Sequence, residues 1–274
     1  MDAVKPASAA PARRAFKPDW PARAGWLLLV AYVVYAVLRL DFSVDRFVTG
    51  LGHGARFLER MMPPRIAQPD SLLTGLLESL EIAVLASFAG ILLSLPIGLL
   101  AARNLMPAWA SWPARAVIAA ARSFHPVIVA IIFVKAVGFG ALAGICALVV
   151  ASIGFTAKLF AEAIEEISLK QVEAVRATGA SFMNVLSFGV LPQVFGRFIG
   201  FATYQLDSNL RNSTMVGIVG AGGIGGTLFS AFQRFDYDFV AAILLCIIAM
   251  IMVGEILATW VRRVFVERGR VDEE

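Results

Sequence analysis

EAVRATG at residues 173–179, followed by LP at residues 191–192, interrupts a chain that is otherwise mostly apolar. Long apolar runs at residues 142–157 and 197–218 flank this polar stretch. Lipid offers no hydrogen-bond partner to the charged and hydroxyl groups of such a loop. We therefore predict that the loop meets another protein at the surface of a membrane.

The composition is that of an integral membrane protein. Of the 274 residues, 59% are hydrophobic and 16% are charged, and the mean hydropathy is +0.77, whereas soluble domains have about 25% charged and about 45–50% apolar residues. The net charge of +4 is small and the basic residues lie at the ends of the apolar runs, so we expect a lipid bilayer and no nucleic acid as partner. Cys146 and Cys246 lie within apolar runs and indicate neither a disulfide nor a metal site.

The apolar runs predict an all-α, polytopic bundle of about six transmembrane helices. We expect these helices near residues 26–38, 82–102, 116–134, 142–157, 197–218 and 239–261. Pro96 is expected to kink the second helix, and Arg122 with His125-Pro126 interrupts the third. An amphipathic segment is expected at residues 229–238. The first run is interpreted as a retained anchor, because Arg39 follows it and no small-residue cleavage pattern is present.

The chain then divides into four predicted regions. Residues 1–22 form a disordered cytoplasmic tail, and residues 23–75 hold the first helix and a polar periplasmic loop. Residues 76–262 form the membrane core with a cytoplasmic loop at residues 165–192, and residues 263–274 form a cytoplasmic tail. Lys and Arg are more frequent in the segments that this arrangement places inside, which predicts that both termini are cytoplasmic.

The loop at residues 165–192 has a pattern of its own. The spacing of Leu169, Val172, Val175 and Phe182 predicts short helices with one apolar face. Gly179 allows a tight turn between two such helices. A solvated connecting loop without this order is the alternative, and the residues leave both readings open.

The loop resembles the coupling loop of ABC importer permeases. That family shows Glu-Ala-Ala, three residues, Gly, nine residues, Ile, one residue and Leu-Pro. The matching positions in this chain are Glu173, Ala174, Gly179, Leu191 and Pro192. Val175 replaces the second Ala and Gly189 replaces the Ile. The resemblance implies a type I importer permease fold, in which the loop seats in a groove of a cytoplasmic ATPase and transmits its motion to the helices.

Three further stretches resemble the phosphonate-type branch of these permeases: KLFAEAIEE at residues 158–166, NLRNST at 209–214 and VGAGGIG at 219–225. The resemblance covers roughly residues 75–262 and implies phosphorus oxyanions as cargo, namely phosphonate, phosphite, hypophosphite or phosphate. A methionine-type or other small-solute permease and a self-powered secondary transporter are the alternatives. An intramembrane enzyme has no support, since no catalytic pair and no metal-ligand spacing is present.

The energy source is expected on another chain. No lysine lies in the Gly-x-x-x-x-Gly-Lys-Ser/Thr context of a phosphate-binding loop, so ATP and Mg are assigned to a partner ATPase and no cofactor to this chain. The resemblance implies an ABC ATPase dimer, a periplasmic or lipid-anchored substrate-binding protein and a second permease copy in a bacterial inner membrane. A homodimer is expected, with a paralogous partner as the alternative.

Polar residues in the fifth apolar run mark a candidate translocation pathway. Asp207 and Arg211 are four residues apart, so they share a helix face and can pair. Asn209, Ser213 and Thr214 add polar groups nearby. Either the pair locks helix packing, or Arg211 lines the path and lowers the barrier for an oxyanion through its planar donors.

The glycines at Gly220, Gly222, Gly223 and Gly225 include the letters of a dinucleotide-binding fingerprint. We reject that function because the stretch lies among membrane helices and has no preceding strand or βαβ unit. Close helix packing or a flexible periplasmic gate is expected instead.

Overall fold

The structure is a computed structural model that describes residues 20–40 and 43–264, and this part of the chain is helical without a β-strand. It divides into two compact units, Met1–Glu59 and Arg60–Glu274. Residues 1–19 of the expected N-terminal tail and residues 265–274 of the expected C-terminal tail lie outside the described residues.

The first unit contains α1, Trp20–Arg39, and α2, Val44–Arg60, of which the last residue belongs to the second unit. α1 is long and apolar enough to cross a membrane, and none of its residues is buried. We expected a polar loop after the first helix, within residues 23–75. The structure instead has the helix α2 in much of this region. Apolar residues of α2 such as Phe47 and Leu51 recur at helical spacing among charged ones, and this amphipathic pattern is typical of a surface helix.

The second unit contains the other helices. In chain order they are α3, Pro69–Ala101; α4, Ala108–Ser123; α5, Pro126–Val137; α6, Ala141–Glu165; α7, Leu169–Ala177; α8, Phe182–Asn184; a π-helical segment, Val185–Val190; α9, Leu191–Ile218; α10, Ile224–Gln233; and α11, Tyr237–Arg262. α3 is one helix through Pro96. The segment expected at residues 229–238 is divided between α10, a turn and the start of α11.

Five described helical segments are long and apolar enough to cross a membrane, or six if α4 and α5 together form one span. α4 and α5 meet at an angle of 92°, so the single helix expected over residues 116–134 is two helices. The bend lies at His125, because the following Pro126 disfavours helical backbone there. The ring nitrogen Nδ1 of His125 accepts a hydrogen bond from the Val127 N–H at 3.3 Å and so caps α5. The expected total of about six spans is confirmed.

α3 and α6 form the centre of the second unit and pack on each other more extensively than any other pair of helices. Small residues make this approach possible. A Cβ atom on Gly98 would lie 2.8 Å from Cβ of Phe160 and 2.9 Å from the Ala157 carbonyl oxygen, and Gly90 meets Ser152 as closely. Because lipid is as apolar as Leu, such close contact and polar bonds between helices hold a membrane bundle together.

Candidate functional site

Residues 165–192 form a helix–turn–helix, which we call the coupling element. α7 carries the motif as far as Ala177, and Gly179 turns the chain with a φ of +78°, a conformation that L side chains disfavour. Ser181 then begins α8 and its hydroxyl accepts a hydrogen bond from the Asn184 N–H. The π-helical segment continues directly into α9. The predicted turn at Gly179 is confirmed, and the loop is ordered rather than a bare connection.

The coupling element packs its apolar side inward. Val172 is 1% exposed, and its side chain joins a cluster with Ile164, Val185, Val190 and Val194. Gly189 stands where the family pattern has Ile, and it lies directly under α7. A Cβ atom on Gly189 would be 3.4 Å from Cα of Val172. The missing side chain therefore lets α7 rest on the backbone of the helix beneath it.

The five motif residues are all exposed: Glu173, Ala174, Gly179, Leu191 and Pro192. Leu191 also borders Ile164, Val190 and Val194 of the apolar cluster. The exposure makes the motif accessible to a protein partner. Contact of the motif residues with an ATPase stays a prediction.

An amide side chain joins the two ends of the coupling element. Gln193 accepts a hydrogen bond from the Ser168 N–H at 2.9 Å and donates one to the Gly189 carbonyl at 2.6 Å. The residue before α7 is thus tied to the first turn of α9. The glutamine is not part of the motif, and its role is visible only once the chain is folded.

Two consecutive glutamates tie the end of α6 to its neighbours. Glu165 pairs with Arg115 of α4 at 2.5 Å and accepts a hydrogen bond from the Arg103 N–H at 2.7 Å. Glu166 pairs with Arg197 of α9 at 2.6 Å. The end of α6 is therefore linked to the middle of α4, to the chain just after α3 and to the first turns of α9, at the point where the coupling element leaves the bundle.

The predicted pairing of Asp207 with Arg211 is present on α9. The Asp207 carboxylate accepts a hydrogen bond from the Arg211 guanidinium at 2.5 Å. The Asp207 side chain is 10% exposed, whereas that of Arg211 is 46% exposed. Arg211 therefore keeps donors free on the outer side of the helix, while Asp207 holds it from within. Contact between Arg211 and a transported anion stays a prediction.

Asn209 lies on the other side of α9, inside the bundle. Its Nδ2 donates to Ser87 Oγ at 2.9 Å and to Ser152 Oγ at 3.1 Å, and its Oδ1 accepts from Gln205 Nε2 at 3.0 Å. Gln205 also accepts from Thr156 Oγ1 at 3.1 Å. We call these five residues the polar core, because they join α3, α6 and α9 by hydrogen bonds between buried side chains. Asn209 thus contacts other helices and not an open path.

Ser213 and Thr214 also face inward. Ser213 is fully buried and donates to the Leu210 carbonyl at 2.8 Å, and Thr214 is 8% exposed. The sequence did not distinguish these two residues from Arg211, since all of them are polar residues in one apolar run. The spacing of four residues between Gln205 and Asn209 was the available signal for the polar core.

A different set of α9 residues shares the outer side with Arg211. Tyr204, Ser208, Arg211 and Met215 recur every three or four residues and are exposed or half-buried. We call this stripe the open face of α9. Charged and hydroxyl groups in a membrane helix are costly against lipid, so such a face needs protein or water beside it.

The glycine-rich stretch connects α9 to α10 and packs tightly. Gly222 has a φ of +80°, and a Cβ atom there would lie 2.7 Å from both the Ala141 nitrogen and a Glu78 carboxylate oxygen. Gly220, Gly223 and Gly225 meet neighbouring atoms equally closely. The stretch therefore serves close packing against the starts of α3 and α6; a gate there remains a prediction.

A bundle of membrane helices with an ordered helix–turn–helix exposed at one end defines a membrane-spanning transport subunit. The chain belongs to the family of binding-protein-dependent transport system inner membrane components, whose profile matches residues 94–271. The description of this family states that its members depend on a binding protein.

Two relatives in this family are named as permeases for phosphorus oxyanions. The phosphate-import permease protein PhnE of Mycolicibacterium smegmatis is 40% identical over 86% of this chain and 44% of that protein. The phosphite transport system permease protein PtxC of Stutzerimonas stutzeri is 38% identical over 92% of this chain and 93% of that protein. The chain therefore spans less than half of the first relative and nearly all of the second. Both relatives are named as permease proteins.

A solved structure shows the same fold. The methionine ABC transporter MetNI, in an inward-facing conformation, contains a chain that matches with a TM-score of 0.63 and 24% identity, over 71% of this chain and 95% of that chain. At this identity the likeness shows the fold alone. The expected type I importer permease fold is confirmed.

Proposed function

We propose that this chain is the membrane-spanning subunit of an ATP-driven importer for phosphonate-like phosphorus oxyanions. The observation that carries the proposal is the 38% identity to a phosphite permease over nearly the full length of both chains. A probable D-methionine transport system permease protein of Pasteurella multocida is 31% identical over 70% of this chain, which is less than the phosphite permease in both respects. A methionine-type function therefore has less support.

The coupling element is the proposed site at which the ATPase drives this chain. Glu173 and Gly179 present the motif outward, while Val172 fastens α7 to the bundle. The ion pairs of Glu165 and Glu166 then carry any displacement of the coupling element to α4 and α9. Closure of an ATPase dimer would draw two such elements together and open the outer mouth, and hydrolysis would reset the inward-facing state.

The open face of α9 is the proposed wall of the translocation pathway. Arg211 offers donors that suit two oxygens of a phosphorus oxyanion, and Tyr204 and Ser208 offer hydroxyl groups along the same stripe. The sequence predicted that Asn209 and Ser213 line the pathway. Because both are fully buried, we assign them to helix packing instead. A second copy of the permease would complete the path on the side that this chain leaves open.

The energetics require an external source of work. Moving an anion inward against a negative interior costs about 2.3 kcal/mol per charge for every 100 mV. ATP and Mg on a partner ATPase would supply this energy, and this chain would hold no cofactor. We place both termini and the coupling element in the cytoplasm, in agreement with the distribution of Lys and Arg, and a substrate-binding protein on the opposite side.

Uptake into proteoliposomes tests the proposal. The permease, its ATPase and its binding protein are reconstituted, and the accumulation of radiolabelled methylphosphonate, phosphite, phosphate and methionine is compared with and without ATP. We expect ATP-dependent accumulation of at least one phosphorus oxyanion and none of methionine. Accumulation of methionine, or oxyanion uptake by the permease without the ATPase, would overturn the proposal.

A further inference from the structure

A cavity of about 860 Å³ opens between α6, α9 and α11. Its wall includes Glu166 at the end of α6, Arg197 near the start of α9, and Arg262 with Arg263 at the end of α11. These positions put the cavity at the end of the bundle from which the coupling element projects. None of the residues that line this cavity is among the pathway residues predicted from the sequence.

The charge of the cavity wall is unbalanced. Glu166 is the one acidic residue among the wall residues, and it is already paired with Arg197 at 2.6 Å. Neither Arg262 nor Arg263 has an ion-pair partner among residues 20–40 and 43–264. Two guanidinium groups therefore remain available to an anion that enters the cavity.

Two glycines open the α9 side of the cavity. Gly196 and Gly200 are one helical turn apart, and a Cβ atom on either would meet nothing within 4 Å. Glycine weakens a helix relative to larger residues, and neither glycine is needed for close packing. Their effect is to leave room for an occupant beside the arginines.

The cavity continues the open face of α9. Tyr204 lines the cavity, and Arg211 lies two helical turns further along the same stripe. The Tyr204 ring stacks on Phe155 at 5.4 Å between ring centroids, which fixes it against the wall. Tyr204 and Thr259 supply hydroxyl groups to the same cavity wall as the guanidinium groups.

We propose that this cavity binds a phosphorus oxyanion, held by Arg197, Arg262 and Arg263. Planar guanidinium donors match the oxygens of a phosphoryl group, and hydroxyl groups complete its hydrogen bonds. Such a group reaches the cavity from two sources: the transported oxyanion on its way to release, or the head group of an anionic phospholipid whose chains lie along the apolar wall. The first source rests on the proposed function, whereas the second does not.

Binding to the purified permease–ATPase complex, without binding protein or nucleotide, tests the site. One arm measures equilibrium binding of labelled methylphosphonate and inorganic phosphate, and the other measures by mass spectrometry the phosphatidylglycerol retained from the membrane. The variants are Arg262→Gln/Arg263→Gln, which removes the free guanidinium groups, and Gly200→Leu, which adds a bulky side chain to the cavity where a Cβ atom meets nothing within 4 Å. The matched controls are Arg234→Gln, an exposed arginine outside the cavity, and Gly50→Leu, a glycine of α2 with equally open surroundings.

We expect both cavity variants to weaken one of the two kinds of binding by about tenfold or more, with the controls unchanged. Loss of methylphosphonate or phosphate binding identifies the transported solute as the occupant. Loss of retained phosphatidylglycerol with no free-oxyanion binding identifies the lipid head group.

The site is overturned if the wild-type complex binds neither, or if the cavity variants bind both as the wild type does. Gly200→Leu keeps the test valid should the arginine variant fold poorly, since leucine at this position favours the helix. Uptake by the wild-type transporter is measured separately. Oxyanion uptake without arginine-dependent binding removes the site and leaves the proposed function intact.

Discussion

The coupling element and the middle of α9 are both polar regions of an apolar chain, yet they are built in opposite ways. The coupling element turns Glu173 outward and buries Val172. The middle of α9 buries Asn209 and turns Arg211 outward. The coupling element can leave polar groups to water, whereas polar groups inside the bundle must satisfy each other.

This difference separates mechanical roles from binding roles along α9. Residues of the polar core bond to α3 and α6 and hold the bundle together. Residues of the open face are exposed or half-buried and are accessible to a solute or a second chain. Asn209 and Arg211, which are only two positions apart, therefore have different surroundings, and we propose different roles for them.

The largest expected effect is on stability, from Asn209→Leu. Leucine removes three hydrogen bonds, to Ser87, Ser152 and Gln205, and each contributes about 1 kcal/mol, so we expect a loss of about 3 kcal/mol. Thermal unfolding in detergent measures it. Asn212→Leu is the control, because the half-buried Asn212 side chain bonds to Ser208 within α9 and to no other described residue. Equal melting temperatures for the two variants would contradict the assignment of a polar core.

The motif and the turn of the coupling element could be predicted from the sequence, whereas the contacts of the polar residues of α9 could not. The motif at residues 173–192 is local, and its turn at Gly179 requires a backbone conformation that the residue type reveals. Two partners of Asn209, Ser87 and Ser152, lie on helices far away in the chain, so sequence spacing can indicate only the third partner, Gln205. The bend at His125 was visible as an interruption, but its 92° angle depends on how α5 packs on α6.

Gly189→Ile restores the residue that the family pattern expects and tests how closely α7 rests on the helix below. A branched side chain there would displace Val172, and overpacking costs about 2 kcal/mol. We expect faster tryptic cleavage at the exposed Lys170 and Arg176 of α7. Gly189→Ala is the control, since its Cβ atom would lie 3.4 Å from Cα of Val172, which is ordinary van der Waals contact. Wild-type resistance of the isoleucine variant would show that α7 has no such close support.

The double variant Asp207→Asn/Arg211→Gln separates the two interpretations of the α9 ion pair. Removing both charges avoids leaving the buried Asp207 carboxylate unpaired, so we expect normal expression and melting temperature. Uptake of the oxyanion should fall by about tenfold, because a charge-assisted contact in the path is lost. Arg211→Lys, which keeps the charge, should retain more activity. Wild-type uptake by the double variant would make the pair purely structural.

The smallest expected effects come from the consecutive glutamates at the end of α6. The Glu166 side chain is 67% exposed, and exposed ion pairs contribute about 0–1 kcal/mol, so Glu166→Gln should change stability by less than about 0.5 kcal/mol. Glu165 is 29% exposed and also accepts a backbone hydrogen bond; Glu165→Gln should cost about 1 kcal/mol. Chemical denaturation compares the two, and the reverse order would contradict the assignment of Glu165 as the stronger link.

The central claim is that the coupling element transmits ATP hydrolysis to the membrane helices. The most direct test measures ATPase co-purification and ATP-driven uptake for Glu173→Arg, with Glu59→Arg as an exposed control on α2. We predict that Glu173→Arg folds normally, since its side chain is exposed, but loses the ATPase and reduces uptake by about tenfold or more through like-charge or desolvation penalties in the groove. Glu59→Arg should behave as wild type. Full ATPase retention and wild-type uptake by Glu173→Arg would contradict the claim.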